Sequence, residues 1–229
     1  MPRENWLIVG ISGATCSGKT TVAKELHSLF SNSVLLQQDD YFYDEKSEKH
    51  TKIAEFNHIN FEILSSIDMA AFKNQIRLVI ESSNSSTGAT GPSQGKPTEV
   101  EAKFTEKYCS TEIAPSAYCI ISKFQKLQFV PNILFIEGFL IFNDDQLQDL
   151  CDLKFYFTMS KGLCWERRKN RVYQPPDVPG YFEKYVWPSY LVHYEEVLRK
   201  SSNVVYIDGA DSIENNFRSI LHKILDFLL

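Results

Sequence analysis

Short apolar runs alternate with stretches of helical periodicity along most of this 229-residue chain. The apolar runs have the length and composition of buried parallel strands, and they lie at 6–9, 34–36, 133–136, 153–159 and 204–207. Apolar residues recur at helical spacing directly after the first run, and again at 67–80, 161–170, about 181–200 and 213–227. About five strands alternating with helices predict an α/β fold, in which a parallel sheet is covered by helices on both faces.

One stretch interrupts this alternation. Residues 82–98 consist almost entirely of Ser, Gly, Thr, Pro, Asn and Gln. Such a segment cannot bury enough apolar surface to offset its chain entropy, so we predict a flexible surface insertion there. The next segment, 99–130, is ambiguous, and we predict no element in it. Because 229 residues suit one large α/β domain better than two, we expect residues 1–229 to form a single domain.

Composition and charge restrict the class of protein. The hydrophobic fraction of 43% and the charged fraction of 23% are those of an ordinary soluble globular protein. A net charge of −5 disfavours nucleic-acid binding, and no apolar run approaches the roughly 18 residues of a membrane span. The N-terminus shows no signal peptide, and the five cysteines lack C-x-x-C spacing. We therefore expect a cytoplasmic protein, with a monomer favoured, whose partners are small molecules rather than nucleic acids or membranes.

The most informative motif follows the first apolar run. Gly13–Thr20 reads G-x-x-x-x-G-K-T, in which glycines let consecutive backbone N–H groups curl around a phosphate. Lys19 supplies a charge for the β- and γ-phosphates, and the Thr20 hydroxyl can bind Mg²⁺. The helix that follows points its N-terminus at the phosphates. The residues predicted to bind ATP here are Gly13, Ala14, Thr15, Cys16, Ser17, Gly18, Lys19, Thr20 and Thr21.

Carboxylates follow two of the predicted strands. In parallel sheets ligands bind beyond the carboxyl ends of the strands, where Asp39, Asp40 and Glu137 lie. Asp39 can take the proton of an attacking hydroxyl and help to bind Mg²⁺, and Glu137 suits the second acidic position of a metal shell. The alternative is that Asp39 and Asp40 only cap a turn. No N-K-x-D guanine signature is present, which disfavours a GTPase.

A basic cluster precedes a proline-rich segment. Arg167, Arg168 and Arg171 have the spacing i, i+1, i+4, ahead of residues 175–180. Arginines that close over a transferring phosphoryl group stabilise its charge and exclude water, which predicts a mobile lid at about 161–180. The alternative is a solvated basic helix face.

These motifs together identify a family. Apart from the insertion and its flanks, the chain resembles the nicotinamide riboside kinases, within the uridine-kinase-like group of P-loop kinases. The Arg171–Asp177 block is far more specific than the phosphate loop. The stretches that carry the resemblance are Gly10-Ile11-Ser12-Gly13, Gln38-Asp39-Asp40-Tyr41-Phe42, Ile136-Glu137-Gly138-Phe139-Leu140, Arg171-Val172-Tyr173-Gln174-Pro175-Pro176-Asp177, Pro179-Gly180-Tyr181-Phe182 and Val186-Trp187-Pro188.

The resemblance implies a reaction and a set of site residues. It implies ATP- and Mg²⁺-dependent phosphorylation of the 5′-hydroxyl of nicotinamide riboside, in a salvage route to NAD. The implied catalytic residues are Asp39 as base, Lys19, Glu137 and Arg168. The implied Mg²⁺ ligands are Thr20, Asp39 and Glu137, while Arg167 and Arg171 join the loop in binding ATP. The implied substrate-binding residues are Asp39, Asp40, Tyr41, Phe42, Phe61, Glu62, Arg168, Tyr173 and Gln174.

One family feature departs from the pattern. Members carry an aromatic residue followed by Asp in the acceptor pocket, and here the match is Phe61-Glu62, which keeps the charge but adds a methylene. Phe61 and Tyr173 can sandwich a pyridinium ring by cation–π attraction, although Phe61 can also be a core aromatic. Two alternatives remain: a pyrimidine nucleoside kinase, and a nucleotide-binding regulatory protein with little catalysis. The second is disfavoured because a protein without catalysis has no chemical need for all four of Lys19, Thr20, Asp39 and Glu137.

Overall fold

The computed structural model of the chain describes residues 6–82, 95–109 and 115–229. All five predicted strands are confirmed, and so are the predicted helices, with ends that differ by a few residues. In chain order the strands and helices are β1 (Trp6–Gly13), α1 (Lys19–Leu29), β2 (Ser33–Gln37), β3 (Lys52–Ile53), β4 (His58–Ile59), α2 (Met69–Ser82), α3 (Pro97–Tyr108), α4 (Pro115–Phe124), β5 (Asn132–Glu137), α5 (Asp145–Leu150), β6 (Leu153–Thr158), α6 (Lys161–Arg168), α7 (Trp187–Lys200), β7 (Val204–Asp208) and α8 (Ile213–Leu228).

The main sheet is parallel throughout, with the strand order β2-β5-β1-β6-β7. The short strands β3 and β4 form a separate antiparallel hairpin. In the main sheet, Ile11 of β1 and Gln37 of β2 are both paired in register with Glu137 of β5. The carboxyl ends of β1, β2 and β5 therefore lie level with one another, and residues that follow them share one edge of the sheet.

The alternation of side chains along β1 explains the two-sided core. Leu7, Val9 and Ile11 pack into the larger apolar cluster, on the side of α1, α3, α4 and α8. Ile8 points to the opposite face and packs with residues of α2, α5 and α7. Successive residues of a strand face opposite sides, so a strand that is apolar at every position needs helices on both faces.

The segment without a sequence prediction, 99–130, contains most of α3 and all of α4. Val100 and Phe104 of α3, and Ile120 and Phe124 of α4, are buried in the larger cluster. The spacing of these residues is helical, but the surface-facing positions between them weakened the pattern in a single sequence. Within the described residues, no helix is both long and apolar enough to span a membrane.

Both ends of the predicted insertion at 82–98 belong to other parts of the structure. Ser82 is the last residue of α2, and Pro97 is the first residue of α3. Gly95 exchanges two backbone hydrogen bonds with Val130, with N···O distances of 3.0 and 3.1 Å. Residues 83–94, the remainder of the predicted insertion, lie outside the described residues.

The predicted helix at about 181–200 consists of two parts. A π-helical turn covers Phe182–Val186, and α7 follows directly. Pro188 lies at the start of α7, and its nitrogen cannot donate to the preceding turn. We attribute the wider turn to this missing hydrogen bond, since prolines and π-turns commonly accompany breaks in helical hydrogen bonding.

Candidate active site

A cleft of about 680 Å³ lies beyond the carboxyl ends of β1, β2 and β5. The phosphate loop forms one side of the cleft, and the segment after α6 together with a group of aromatic side chains forms the other. Nearly all of the residues predicted for the site line this single cleft, although they come from widely separated parts of the chain. The lining residues that were predicted are Thr15, Cys16, Ser17, Gly18, Lys19, Thr20, Thr21, Asp39, Phe42, Phe61, Glu62, Glu137, Arg167, Arg168, Arg171, Tyr173 and Gln174.

The phosphate loop requires glycine at two positions. Gly13 has a φ angle of 119° and Gly18 one of 94°, both in the left-handed region that favours glycine. A Cβ atom on Gly13 would lie 2.1 Å from the carbonyl oxygen of Phe157 in β6. Within the described part of the chain, no side chain caps the first turn of α1. The N–H groups of that turn therefore remain available to an anion.

Hydrogen bonds inside the loop hold its shape. The carbonyl oxygen of Ala14 accepts from the Lys19 ammonium and from the Ser17 hydroxyl, each at 2.7 Å. The backbone N–H of Ala14 donates to the carbonyl of Phe157 at 2.9 Å. Gly13 and Ala14 are buried beneath the loop and are not among the residues that line the cleft. These two residues shape the phosphate-binding turn from below.

Two carboxylates, a hydroxyl and an ammonium meet at the sheet edge. Glu137 ends β5, and its Oε2 accepts from the Thr20 hydroxyl at 3.1 Å and from the Gln37 amide at 3.4 Å. Burial raises the pKa of Glu137, and the nearby Lys19 opposes this shift. Burial lowers the pKa of Lys19, while Glu137 and Asp39 raise it. Each charge therefore offsets the desolvation of the other.

Asp39 lies in the short 3₁₀ turn that follows β2, and it faces this group. The side chain remains accessible from the cleft, yet the surrounding protein displaces water and raises the pKa of its carboxyl. Lys19 and Arg171 oppose that shift. A carboxylate with this balance is suited to exchange a proton with a bound hydroxyl.

The predicted residues Asp40 and Tyr41 lie elsewhere. Asp40 is exposed, and neither residue is among those that line the cleft. The Tyr41 ring packs against Phe72 of α2, with ring centroids 4.9 Å apart, as part of the second apolar cluster. The reason is the 3₁₀ turn, which directs consecutive side chains to different sides. Asp39 and Phe42 face the cleft, and the two residues between them do not.

Arg168 is the most heavily bonded side chain of the site. It is only 6% exposed, and its Nε and Nη2 donate to the two carboxylate oxygens of Asp177 at 2.6 and 3.0 Å. Its Nη2 also lies 3.5 Å from Glu62 Oε1. Its guanidinium carbon is 4.4 Å from the centre of the Tyr173 ring, and its Nη1 donates to Thr15 at 3.4 Å. Arg168 therefore connects the acceptor side of the cleft to the phosphate loop.

The buried Glu62 has an unusual environment. Burial raises the pKa of its carboxyl to about 7, although Arg168 opposes the shift. Its backbone carbonyl accepts a hydrogen bond at 2.8 Å when His193 carries the proton on Nε2. The residue is fixed at the cleft wall by α7 on one side and by Arg168 on the other.

The other two arginines of the cluster differ from Arg168. Arg167 donates to the carbonyls of Cys16 at 3.2 Å and Gly209 at 2.9 Å, so it joins the phosphate loop to the turn after β7. Arg171 also lies over the Tyr173 ring, with its guanidinium carbon 5.0 Å from the ring centre. Among the described residues, no carboxylate forms an ion pair with Arg171, whose charge therefore faces the cleft.

Aromatic side chains form the far wall of the cleft. The Phe61 ring meets the edge of Phe42 at 5.6 Å, and Phe42 stacks on Phe139 at 6.0 Å. Phe61 is half-buried and belongs to none of the three buried apolar clusters among the described residues. Tyr173 reaches the opposite wall, where its hydroxyl is 3.3 Å from the Cys16 sulfur.

Sequence reasoning did not assign several lining residues. Asp177, Pro175 and Phe139 lie inside the family motifs, and their place in those motifs was the available signal. Tyr43 and Glu45 also line the cleft. Their positions follow from the turn between β2 and β3, for which a single sequence gave no signal.

Comparisons with known proteins agree with this geometry. A family model described as "Phosphoribulokinase / Uridine kinase family" matches residues 8–174. Nicotinamide riboside kinase 1 of Rattus norvegicus is 32% identical over 217 residues, which cover 95% of this chain and 93% of that protein. Nicotinamide riboside kinase 2 of Homo sapiens is 31% identical, with coverage of 97% and 83%. The uridine kinase of Leuconostoc citreum is 24% identical, with coverage of 90% for both chains.

The family model spans β1 from Ile8, the phosphate loop, both carboxylates and the arginine cluster, and it ends at Gln174. On this match, and on the similarity along almost the whole chain, the protein belongs to the phosphoribulokinase/uridine kinase family.

Proposed function

We propose that this chain is a kinase that transfers the γ-phosphoryl group of ATP to the 5′-hydroxyl of nicotinamide riboside. The products are nicotinamide mononucleotide and ADP, in a salvage route to NAD. One observation carries the proposal: a single cleft joins the phosphate loop to a pocket with aromatic walls and a buried carboxylate. The chain is also 32% identical to a nicotinamide riboside kinase along nearly its whole length.

The nucleotide side of the cleft holds the phosphates. Lys19 and the N–H groups of the first turn of α1 face the space that the β- and γ-phosphates would occupy. Thr20, Glu137 and Asp39 would hold Mg²⁺, since they supply oxygen ligands at one edge of the sheet and leave room for water and phosphate. The ion, when bound, neutralises charge on the phosphates.

Asp39 acts on the acceptor. Its carboxylate orients the 5′-hydroxyl and accepts its proton as the oxygen attacks the γ-phosphorus. The negative charge that spreads over the transferring group is stabilised by Lys19 and by Arg171, whose guanidinium faces the cleft. We propose that α6 and the segment up to residue 180 form the lid that excludes water during this step.

The acceptor pocket favours a cationic base. Phe61 and Tyr173 both line the cleft, and an aromatic face attracts a pyridinium ring. Two carboxylates, Glu62 and Asp177, surround the single guanidinium of Arg168. At a pH that ionises both acids, this group carries a net negative charge that stabilises a cation more than a neutral pyrimidine. Glu62 and Arg168 would also hold the ribose hydroxyls.

A second candidate, a pyrimidine nucleoside kinase, is favoured by the family model, whose description includes uridine kinases. The deciding experiment measures ADP release by the full chain with Mg-ATP and nicotinamide riboside, uridine, cytidine or no acceptor. A preference for nicotinamide riboside supports the proposal. A preference for a pyrimidine overturns the substrate and keeps the kinase chemistry, and ADP release independent of acceptor overturns both.

The proposal also covers the cellular location and the oligomeric state of the enzyme. We propose a cytoplasmic monomer that acts on small molecules. The scattered cysteines, all five of them free thiols, support a reducing compartment. Fractionation of cells that express the full chain, and light scattering of the purified protein, test the two statements separately.

A further inference from the structure

Four polar side chains meet between α4 and α8, on the side of the sheet away from the acceptor pocket. Cys119 and Lys123 are four residues apart on α4, and His222 and Asp226 are four residues apart on α8. Side chains at this spacing share one helix face. The packing of α4 against α8 in the larger apolar cluster brings the two pairs into contact.

The contacts form a connected series. The Cys119 sulfur lies 3.3 Å from Nε2 of His222. On the other side of the ring, Nδ1 lies 2.8 Å from the Lys123 ammonium and 3.1 Å from Oδ2 of Asp226. Lys123 also forms an ion pair with Asp226. Because sulfur and carboxylate contact opposite nitrogens of the ring, the three groups cannot bind one metal ion together.

The position of the imidazole proton follows from these contacts. If Lys123 donates to Nδ1, the neutral ring carries its proton on Nε2 and donates it toward the sulfur. If Nδ1 carries the proton and donates to Asp226, the free Nε2 accepts the thiol proton. In both arrangements His222 forms a hydrogen bond with the Cys119 sulfur, the atom that acts as nucleophile once its proton has left.

Accessibility distinguishes this cysteine from the rest. All five cysteines lie within the described residues, and Cys119 is the exposed one among them. Lys123 is only 8% exposed, so the group that orients His222 is held by the fold. An activated thiol has three recognised features. They are the nucleophile itself, a partner within hydrogen-bonding reach, and a third group that orients this partner.

We propose that Cys119 is a surface nucleophile activated by His222, and that it undergoes exchange with small disulfides. In this step the Cys119 thiolate attacks one sulfur of the disulfide, and a new S–S bond forms as the old one breaks. The electron pair of the broken bond leaves with the second sulfur as a thiolate, which takes up the proton that Cys119 gave up through His222. Cys119 is oxidised to a mixed disulfide, and the leaving sulfur is reduced.

The experiment follows each cysteine of the full chain by mass spectrometry, with 2-hydroxyethyl disulfide as a neutral probe at pH 7. We expect Cys119 to react fastest, and faster than the same cysteine in the chain unfolded by urea. His222→Phe keeps the ring volume but removes both nitrogens, and it should slow Cys119 by about three- to tenfold. Asp226→Asn should also slow the reaction of Cys119.

Cys109 is the internal control, because it lies outside this group and should react equally in wild type and variants. The comparison of folded with unfolded wild type needs no substitution, so it stands even if a variant fails to fold. The proposal is overturned if folded Cys119 reacts no faster than unfolded Cys119. It is also overturned if folded His222→Phe retains the wild-type rate.

Discussion

The nucleotide side and the acceptor side of the cleft are built in different ways. The nucleotide side comes mainly from one continuous stretch, Thr15–Thr21, whose backbone shape depends on Gly13, Gly18 and two hydrogen bonds to the Ala14 carbonyl. The acceptor side combines Phe42, Phe61–Glu62 and Arg168–Asp177, and an ion-pair network links these segments. The nucleotide side depends on local backbone conformation, and the acceptor side depends on how distant segments pack.

Because the two sides are built differently, substitutions in them should have different effects. A change in the loop should disturb the backbone and the binding of ATP together. A change on the acceptor side should pass through Arg168 to neighbouring groups and affect ATP binding less, because Arg168 reaches the loop through a single long hydrogen bond to Thr15.

Asp39 lies where the two halves meet, and its replacement should have the largest effect. Asp39→Asn removes the proton acceptor and should lower kcat by about 10²- to 10⁴-fold, while ATP binding changes little. Steady-state kinetics and an ATP titration measure the two quantities. Asp40→Asn is the matched control, because Asp40 is exposed and does not line the cleft. Near-normal turnover in Asp39→Asn would remove this residue from the mechanism.

Gly13→Ala tests the nucleotide side, which depends on local backbone conformation. The added Cβ would lie 2.1 Å from a backbone oxygen, at a φ angle that a side chain rarely adopts. We expect a loss of about 2–4 kcal/mol in the free energy of unfolding, together with weaker ATP binding. Gly162→Ala in α6 is the control, since nothing lies within 4 Å of its added Cβ. Urea unfolding of both variants measures the difference, and equal stabilities would contradict the steric account.

Glu62→Gln tests the acceptor side through its pH dependence. The pKa of Glu62 is raised by burial to about 7 in the folded chain, against 4.5 when exposed. Between these values the folded chain retains a proton that the unfolded chain has lost, so raising the pH favours unfolding. From pH 5 to pH 8 the wild type should therefore lose about 2 kcal/mol relative to Glu62→Gln.

Urea unfolding at each pH measures this difference. Glu45→Gln supplies the control, because it makes the same chemical change at an exposed position. Parallel profiles for wild type and Glu62→Gln would show that Glu62 titrates normally in the folded chain.

Asp177→Asn has the smallest expected effect. The substitution weakens the two-point bond to Arg168, so that Arg168 loses its fixed position beside Glu62 and Tyr173. We expect KM for the nucleoside to rise about tenfold, with KM for ATP within about twofold of wild type. Arg168→Lys should have a similar effect, since lysine keeps the charge but lacks the planar fork. Equal changes in both KM values would contradict the separation of the two halves.

The comparison also explains which features could be predicted from sequence. The phosphate loop and its flanking elements were predictable because Trp6–Leu29 carries strand, glycine turn and helix in one uninterrupted pattern. The hairpin of β3 and β4 was not, because two-residue strands have no detectable period. The helices α3 and α4 were not, because their apolar faces become clear only against α1 and α8.

Tyr41 and Asp177 show the same limit at the site. Both lie in motifs that mark the family, yet Tyr41 packs on α2 while Asp177 holds Arg168 in the cleft. From the sequence, Tyr41 was predicted to bind substrate and Asp177 was given no role. The direction of each side chain depends on a 3₁₀ turn in one case and on an irregular segment in the other.

The sequence by itself determined the nucleotide-binding loop, the parallel sheet and the acidic residues at the ends of its strands. These features rest on periodicity and on the conformational demands of glycine, which act between near neighbours. Two features depend on tertiary structure. Asp177, rather than solvent, forms the ion pair with the Arg168 guanidinium, and burial raises the pKa of Glu62. Desolvation and ion pairing depend on which distant groups exclude water, and that is a property of the packed chain.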